Sequence, residues 1–406
     1  MMIDPKKVTV CLFDGVHENG IQVFRDAGFS DIRLFPNSLP EEELKKEIAN
    51  AHIVGIRSKT KLPREILSEA KQLLCIGRYG IGVNNVDLSA AEELGIPVFN
   101  GPFSSTRAVA ELVLGLIFAL FRRIPERSVA LHEGAWTKSA TNCLEVRGKT
   151  LGLVGYGNIA SQISVLAEAI GMHVLYSDVR AVLPLGNARQ VSFEEVLANS
   201  DVISLHVPGL PSTENMMNAT TLNMMKKGSY LINCSRGTVV NIADLKVALE
   251  SGHLRGAALD VFPKEPKSKE EEFSCKLRGM PNVIFSPHVG GATEEAQAAL
   301  GTEVSEKMKA YALFGDSSMA LNFPQIIPGA IPEKAHRLLI IHKNEPGVLA
   351  QINDVIAEAK ANISAQILKT KGKIGVVVID TEKEVGTALS EKLSSLSPVL
   401  KCLILS

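Results

Sequence analysis

Charge of one sign, paired cysteines and long apolar runs are all scarce in this chain, and each scarcity closes off a class of function. The 43 Lys and Arg nearly cancel the 44 Asp and Glu, for a net charge of −1. That balance removes a basic footprint for nucleic acid or for an anionic membrane, so an anionic ligand would need local cations. Six cysteines are scattered with no Cys-x-x-Cys spacing. They read as reduced thiols or small core residues, not as a disulfide framework or a metal site. The N-terminus, Met1-Met-Ile-Asp-Pro-Lys-Lys7, lacks the apolar segment of a signal peptide. The longest apolar stretch, residues 108–121, contains Glu111 and is too short to span a bilayer. No nucleic acid, membrane or metal partner is expected, and the cytoplasm is the expected compartment. With 406 residues, 46% hydrophobic and 21% charged, the chain has material for two or three globular domains.

What is present is concentrated in one stretch, Thr150-Leu-Gly-Leu-Val-Gly-Tyr-Gly-Asn-Ile-Ala-Ser161. Residues 151–154 read as a buried strand, Gly155 and Gly157 as a tight turn, and 159–171 as a helix. Glycines there let backbone N–H groups and the helix N-terminus approach a pyrophosphate. Asp178 ends the next apolar run, where a carboxylate accepts from an adenosine ribose and repels a 2′-phosphate, so NAD is the expected cofactor. Ala160 stands where a third glycine would serve helix–strand packing.

Upstream, residues 8–14, 32–35, 53–56, 73–77 and 98–100 read as strands alternating with helices at 41–49, 64–70 and 88–95. This alternation implies a parallel sheet covered on both faces. The pattern restarts at 151 and continues through strands at 201–206, 229–233, 256–260 and 283–286, marking a second α/β unit over 104–294. A helix over 293–314 leaves it, and 321–323 is expected to rejoin the first sheet. The first lobe, 1–103 with 295–327, is therefore discontinuous, with a cleft expected between the lobes. Residues 324–334 form a linker. Beyond it, 335–406 reads as βαββαβ, a ferredoxin-like unit without catalytic spacing.

Three segments place polar residues at strand ends, where open α/β sheets bind ligands. Arg236 follows the strand in Leu231-Ile-Asn-Cys-Ser-Arg-Gly-Thr238, where a guanidinium can hold a carboxylate bidentately; on its own it could equally cap a helix or pair with a surface acid. Asp260 ends a strand, and Glu265 sits in a stiff loop between Pro263 and Pro266. His288 lies just past a strand and before Gly290 and Gly291. A single His is more often structural than catalytic, but a His, an acid and an Arg beside a dinucleotide loop suit proton exchange coupled to hydride transfer.

Together the phosphate loop, Asn233-Cys-Ser-Arg-Gly-Thr, Asp260-Val-Phe-x-x-Glu-Pro and Ser286-Pro-His-x-Gly-Gly resemble the D-isomer-specific 2-hydroxyacid dehydrogenase family. The resemblance implies two Rossmann-like lobes and a catalytic triad of Arg236, Glu265 and His288. It implies NAD contacts at Gly155, Gly157, Asn158, Ile159, Asp178, Val207, Cys234, Ser235, Arg236, Asp260, His288, Gly290 and Gly291. Further segments, including Ile56-Arg57-Ser58, Arg78-Tyr-Gly-Ile-Gly-Val-Asn-Asn-Val-Asp87 and Asn100-Gly-Pro-Phe-Ser-Ser-Thr-Arg107, are similar to members that oxidise 3-phosphoglycerate in serine biosynthesis. The resemblance then assigns Arg57 and Ser58 to the substrate phosphate, with Arg78 as a second candidate or a surface charge, and Ser105 and Arg236 to its carboxylate. Many relatives carry Asn where this chain has Ser105, so the reach of that contact differs. Trp136 and Lys138 fall where a partner subunit contributes near the site. The C-terminal unit resembles an ACT regulatory domain, which implies that His342, Asn344 and Asn362 bind L-serine between two subunits of a homotetramer. The alternatives are reductases of 2-oxoglutarate or of hydroxypyruvate and glyoxylate, and an NAD(H)-sensing interaction protein.

Overall fold

Runs such as Thr9–Leu12 and Ile53–Ile56 are buried at every position, as strands must be when both sheet faces are covered. The computed structural model describes residues 2–266, 270–333, 335–382 and 386–405. The chain forms two units, Met1–Ser104 with Gln297–Ser406, and Ser105–Ala296. The first contains strands β1 (Thr9–Leu12), β2 (Asp31–Leu34), β3 (Ile53–Ile56), β4 (Cys75–Arg78) and β5 (Val98–Asn100) in a parallel sheet ordered β2-β1-β3-β4-β5. From Gln297 onward, the helix Glu294–Phe314 packs Leu300, Val304, Met308 and Tyr311 into the same core.

The second unit is a seven-stranded parallel sheet. Its strands are β6 (Thr150–Val154), β7 (His173–Ser177), β8 (Arg189–Gln190), β9 (Val202–Leu205), β10 (Tyr230–Asn233), β11 (Gly256–Leu259) and β12 (Val283–Phe285). The order β12-β11-β10-β9-β6-β7-β8 reverses direction beside β6, the strand that feeds the glycine loop. Ligands of such sheets bind at the carboxyl ends of strands next to this switch point.

Residues 321–323 do not add a strand. Leu321 donates its N–H to Val98 O (2.9 Å), but the Asn322 side chain then takes the next two positions, accepting from Val98 N–H (2.8 Å) and donating to Ile96 O (2.9 Å). A side-chain amide imitates the ladder at the edge of β5, which an apolar-run reading does not anticipate.

In the C-terminal part, β13 (His336–Lys343), β14 (Ile363–Lys371), β15 (Ile374–Thr381) and β16 (Val399–Leu405) form an antiparallel sheet ordered β14-β15-β13-β16. Helices Val348–Glu358 and Thr387–Ser394 cover one face. The second helix is expected from sequence to begin at Val385, which lies outside the described residues. On β13, Leu338 and Ile340 face these helices while Leu339 and Ile341 join the core of the N-terminal sheet. Strand alternation sends successive side chains to opposite faces, so the unbroken run 338–341 reports a sheet covered on both sides. Arg337, 1% exposed, fixes the linker. It clasps both Asp380 carboxylate oxygens (2.6 and 2.7 Å) and donates to the carbonyls of Gly329 (2.7 Å) and Phe314 (3.1 Å).

Removing one partner of a buried pair strands the other charge. Arg337→Met is therefore expected to cost about 3–5 kcal/mol in urea unfolding followed by circular dichroism. The double variant Arg337→Met/Asp380→Leu is expected to cost less than the sum of the two singles; a loss below about 1 kcal/mol for Arg337→Met would contradict the assigned role.

Candidate active site

At the end of β6 the chain turns through Gly155, with φ +86. A Cβ there would stand 2.5 Å from His206 O, so no other residue fits. A Cβ on Gly157 would meet nothing within 4 Å. Gly157 opens the twelve-residue helix Asn158–Ala169, whose first turn no side chain caps. Unclaimed N–H groups at a helix N-terminus with open space before them suit a pyrophosphate, and NAD fits this cradle. Asn158 and Ile159 start that helix, and Val207 lies beside Gly155.

Asp178 follows β7. One carboxylate oxygen accepts the Tyr156 N–H (2.9 Å) and the other the Arg180 N–H (3.0 Å). Burial works to raise its pKa, but these bonds and the Arg180 guanidinium outweigh burial and hold it below the usual aspartate value. The group is thus an anion tied directly to the glycine loop, as a ribose hydroxyl requires.

Beyond β10, Asn233 ties the turn that carries Arg236. Its side-chain oxygen accepts from Ser235 N–H (3.0 Å) and Ser235 Oγ (2.8 Å), and its amide donates to Arg236 O (2.9 Å). Arg236 Nη1 donates to Ser235 O (2.7 Å). Burial lowers the Arg236 pKa and the Glu265 charge opposes that effect. Cys234 is half-buried, and burial raises its thiol pKa, which disfavours the thiolate.

Asp260, 1% exposed, builds the loop that presents His288. It accepts from Ser286 Oγ (2.6 Å), Val289 N–H (2.9 Å) and Gly290 N–H (2.9 Å). The loop passes through His288 at φ +56, a left-handed conformation uncommon outside glycine and often found at functional sites. His288 Nδ1 lies 2.9 Å from Glu265 Oε2 and 3.1 Å from Oε1. Burial lifts the Glu265 pKa, but the bond to His288, the His288 charge, the Phe262 N–H and the Arg236 charge together hold it below the ordinary glutamate value. The same bond raises the His288 pKa against the opposing effect of burial. With the Nδ1 proton held by Glu265, Nε2 is the nitrogen available for acid–base exchange. Ser105, 8% exposed, begins the helix Thr106–Arg122 in this same unit. A Cβ on Gly291 would stand 3.0 Å from its Cβ.

The remaining residues singled out from sequence lie in the other unit. Arg57 and Ser58 follow β3, and Arg78 ends β4. Arg57 is half-buried and Ser58 exposed. In the C-terminal sheet, His342 is 3% exposed and lies over Gly375, whose Cβ would come within 2.2 Å of its ring. Its Nδ1 is 2.7 Å from Lys343 O, while the buried Nε2 meets no hydrogen-bond partner among the described residues. Asn344 bonds Gly372 O (3.0 Å). Asn362 does not join them: it bonds Glu382 (2.8 Å) at the far end of β15, whose eight residues span roughly 25 Å. Asn233, Asn85 and Asp14 also shape these loops; Asn233 and Asn85 fall within motifs of the family resemblance, but sequence gives none of the three a role. Asp14 alone carries a signal, as a polar residue at the end of β1 before Gly15.

Comparison with known proteins gives the family. Residues 114–290 match the model of the D-isomer specific 2-hydroxyacid dehydrogenase NAD-binding domain, and 338–401 match the AHAS small subunit-like ACT domain. A D-3-phosphoglycerate dehydrogenase of Haemophilus influenzae is 47% identical, covering 99% of this chain and 98% of the relative. One of Escherichia coli is 46% identical, covering 94% and 93%. Among solved structures, the Aquifex aeolicus D-lactate dehydrogenase complexed with NAD and lactic acid is 28% identical. It covers 75% of this chain and 95% of its own, with a TM-score of 0.65. The chain belongs to the D-3-phosphoglycerate dehydrogenases, NAD-dependent members of the D-isomer-specific 2-hydroxyacid dehydrogenase family.

Proposed function

We propose that this chain oxidises D-3-phosphoglycerate to 3-phosphohydroxypyruvate at the head of serine biosynthesis, with His288 as general base and Glu265 as its orienting partner. The observation that carries the reading is the Nδ1-to-carboxylate bond of 2.9 Å on a loop held by Asp260. The turn at residues 155–158 and Asp178 would hold NAD, which would supply the acceptor for the C2 hydride. His288 Nε2 accepts the C2 hydroxyl proton, and the ionised Glu265 stabilises the imidazolium that results. Arg236 holds the carboxylate. Arg57 and Ser58 take the phosphate, whose two negative charges call for a guanidinium, and Ser105 and Arg78 are secondary contacts. Gly155, Gly157, Asn158, Ile159, Asp178, Val207, Cys234, Ser235, Asp260, Gly290 and Gly291 line the cofactor side.

L-serine is the proposed effector. His342 and Asn344 stand at one end of the C-terminal sheet and Asn362 at the other. A site using all three therefore needs two chains, which supports a symmetric oligomer in which these sheets pair, and a homotetramer once the nucleotide-binding units pair separately. Trp136, 82% accessible, Ile124 and Val129 are exposed apolar side chains of the nucleotide-binding unit and would be covered in that second contact. Among the described residues no helix is long and apolar enough to cross a membrane, and a cytoplasmic setting suits the reaction.

His288→Ala is expected to lower kcat by roughly 100- to 10,000-fold while NADH binding, read by fluorescence, stays unchanged; turnover within a few fold of the parent on every acid of a 2-hydroxy and 2-oxo acid panel would remove the assignment. The pH dependence has a definite sign. Oxidation needs neutral His288, so its rate falls as pH drops through the raised His288 pKa; reduction needs the protonated ring and falls as pH rises. Glu265→Gln removes the anion that raises that pKa, so both limbs are expected to move to lower pH; limbs that stay in place would show that Glu265 does not tune His288. L-serine at millimolar concentration is expected to inhibit. Asn344→Ala is expected to require about tenfold more serine, the loss of roughly one hydrogen bond, with basal turnover intact.

A further inference from the structure

Resting on the reading of Arg57 and Ser58 as the phosphate grip, we infer that Asp14 and Asn85 are the positioning residues that preset this grip and thereby set selectivity for a phosphorylated acid. The loop 57–60 is held from two sides. Asp14 Oδ2 accepts both the Arg57 N–H and the Thr60 N–H at 3.0 Å, and Oδ1 accepts Thr60 Oγ1 at 2.8 Å. From the other side Asn85 Nδ2 donates to the carbonyls of Arg57 and Thr60, both at 2.7 Å. Five hydrogen bonds thus close on two residues, leaving Ser58 and Lys59 exposed between them.

Asp14 reaches this loop because the chain turns sharply after β1. Asp14 has φ +65 and Gly15 φ +68, two successive left-handed residues. Aspartate tolerates that region better than most side chains. The turn directs an 8%-exposed carboxylate at the end of β3 instead of at solvent. The guanidinium is steered as well: Arg57 Nη1 donates to Gly15 O (3.3 Å) and Nη2 to Gln297 Oε1 (2.5 Å). Neither Asp14 nor Asn85 needs to touch substrate. Their effect is to remove the freedom that the loop would otherwise lose on binding, which reads out as affinity for the group the loop holds.

The test compares Asp14→Ala, Asp14→Asn and Asn85→Ala in the full chain. Reduction of 3-phosphohydroxypyruvate is measured against hydroxypyruvate, the same skeleton without phosphate. Asp14→Ala and Asn85→Ala are each expected to raise KM for the phosphorylated substrate about tenfold with kcat within about twofold, the scale of one or two lost hydrogen bonds. NADH affinity and kcat/KM for hydroxypyruvate should hold within about twofold. Asp14→Asn keeps two acceptor contacts and should recover most of the loss. If Asp14→Ala does not fold, the smaller KM rise of Asp14→Asn and the full rise of Asn85→Ala decide the matter. An unchanged KM, or equal losses on both substrates, overturns the inference. Arg57→Ala separates the two layers: if it leaves KM for the phosphorylated substrate unchanged, the grip itself falls and this inference with it. If it raises that KM while the Asp14 and Asn85 variants do not, the grip stands and the positioning role alone fails.

Discussion

Backbone N–H groups that leave the carboxyl ends of parallel strands have no ladder partner, and left buried they are costly. In this chain a small set of strand-end side chains takes them. Asp260 gathers the loop that lifts His288, Asp178 receives the Tyr156 N–H within the glycine turn, and Asn233 fastens the turn that carries Arg236. Each satisfies a structural need and in doing so fixes where a reactive neighbour stands. Chemistry at the sheet edge therefore inherits its precision from the same bonds that make the edge stable. His288 illustrates the dependence. Its left-handed backbone is tolerable because Asp260 holds residues on both sides of it, and its proton is directed because Glu265 stays ionised despite partial burial.

Much of this is legible in the residues. The glycine turn, the acid at Asp178 and the strand-end positions of Arg236 and His288 follow from local rules that operate over a few residues. The Glu265 contact is legible because prolines at 263 and 266 stiffen a short loop near a strand end. The clamps are not. Asn233 and Asn85 fall within family motifs, but their roles depend on carbonyls and N–H groups supplied by a loop's three-dimensional path. Asn322 misleads in a related way. The apolar run around it promises a strand, yet the amide of Asn322 makes the ladder contacts, and propensity says nothing about such imitation.

The residues proposed to bind the effector raise a different point. The resemblance assigns His342, Asn344 and Asn362 to a site shared between two subunits, and strand register puts Asn362 beside Glu382 and His342 at the opposite end of β15. Sequence carries the residue types, and register adds how far apart along the sheet they stand.

The doubly covered sheet of β13 to β16 has a consequence for how this protein's parts evolve. Leu339, Ile341 and Leu405 pack with Ile3, Leu74 and Tyr311 in a single core, and Arg337 fastens the connecting segment by its carbonyls. The C-terminal module is consequently no interchangeable bead on a string. A relative that lost it by gene shortening would have to repaint an oily wall with polar residues before it could remain in solution, and a transplanted module would arrive with one naked face.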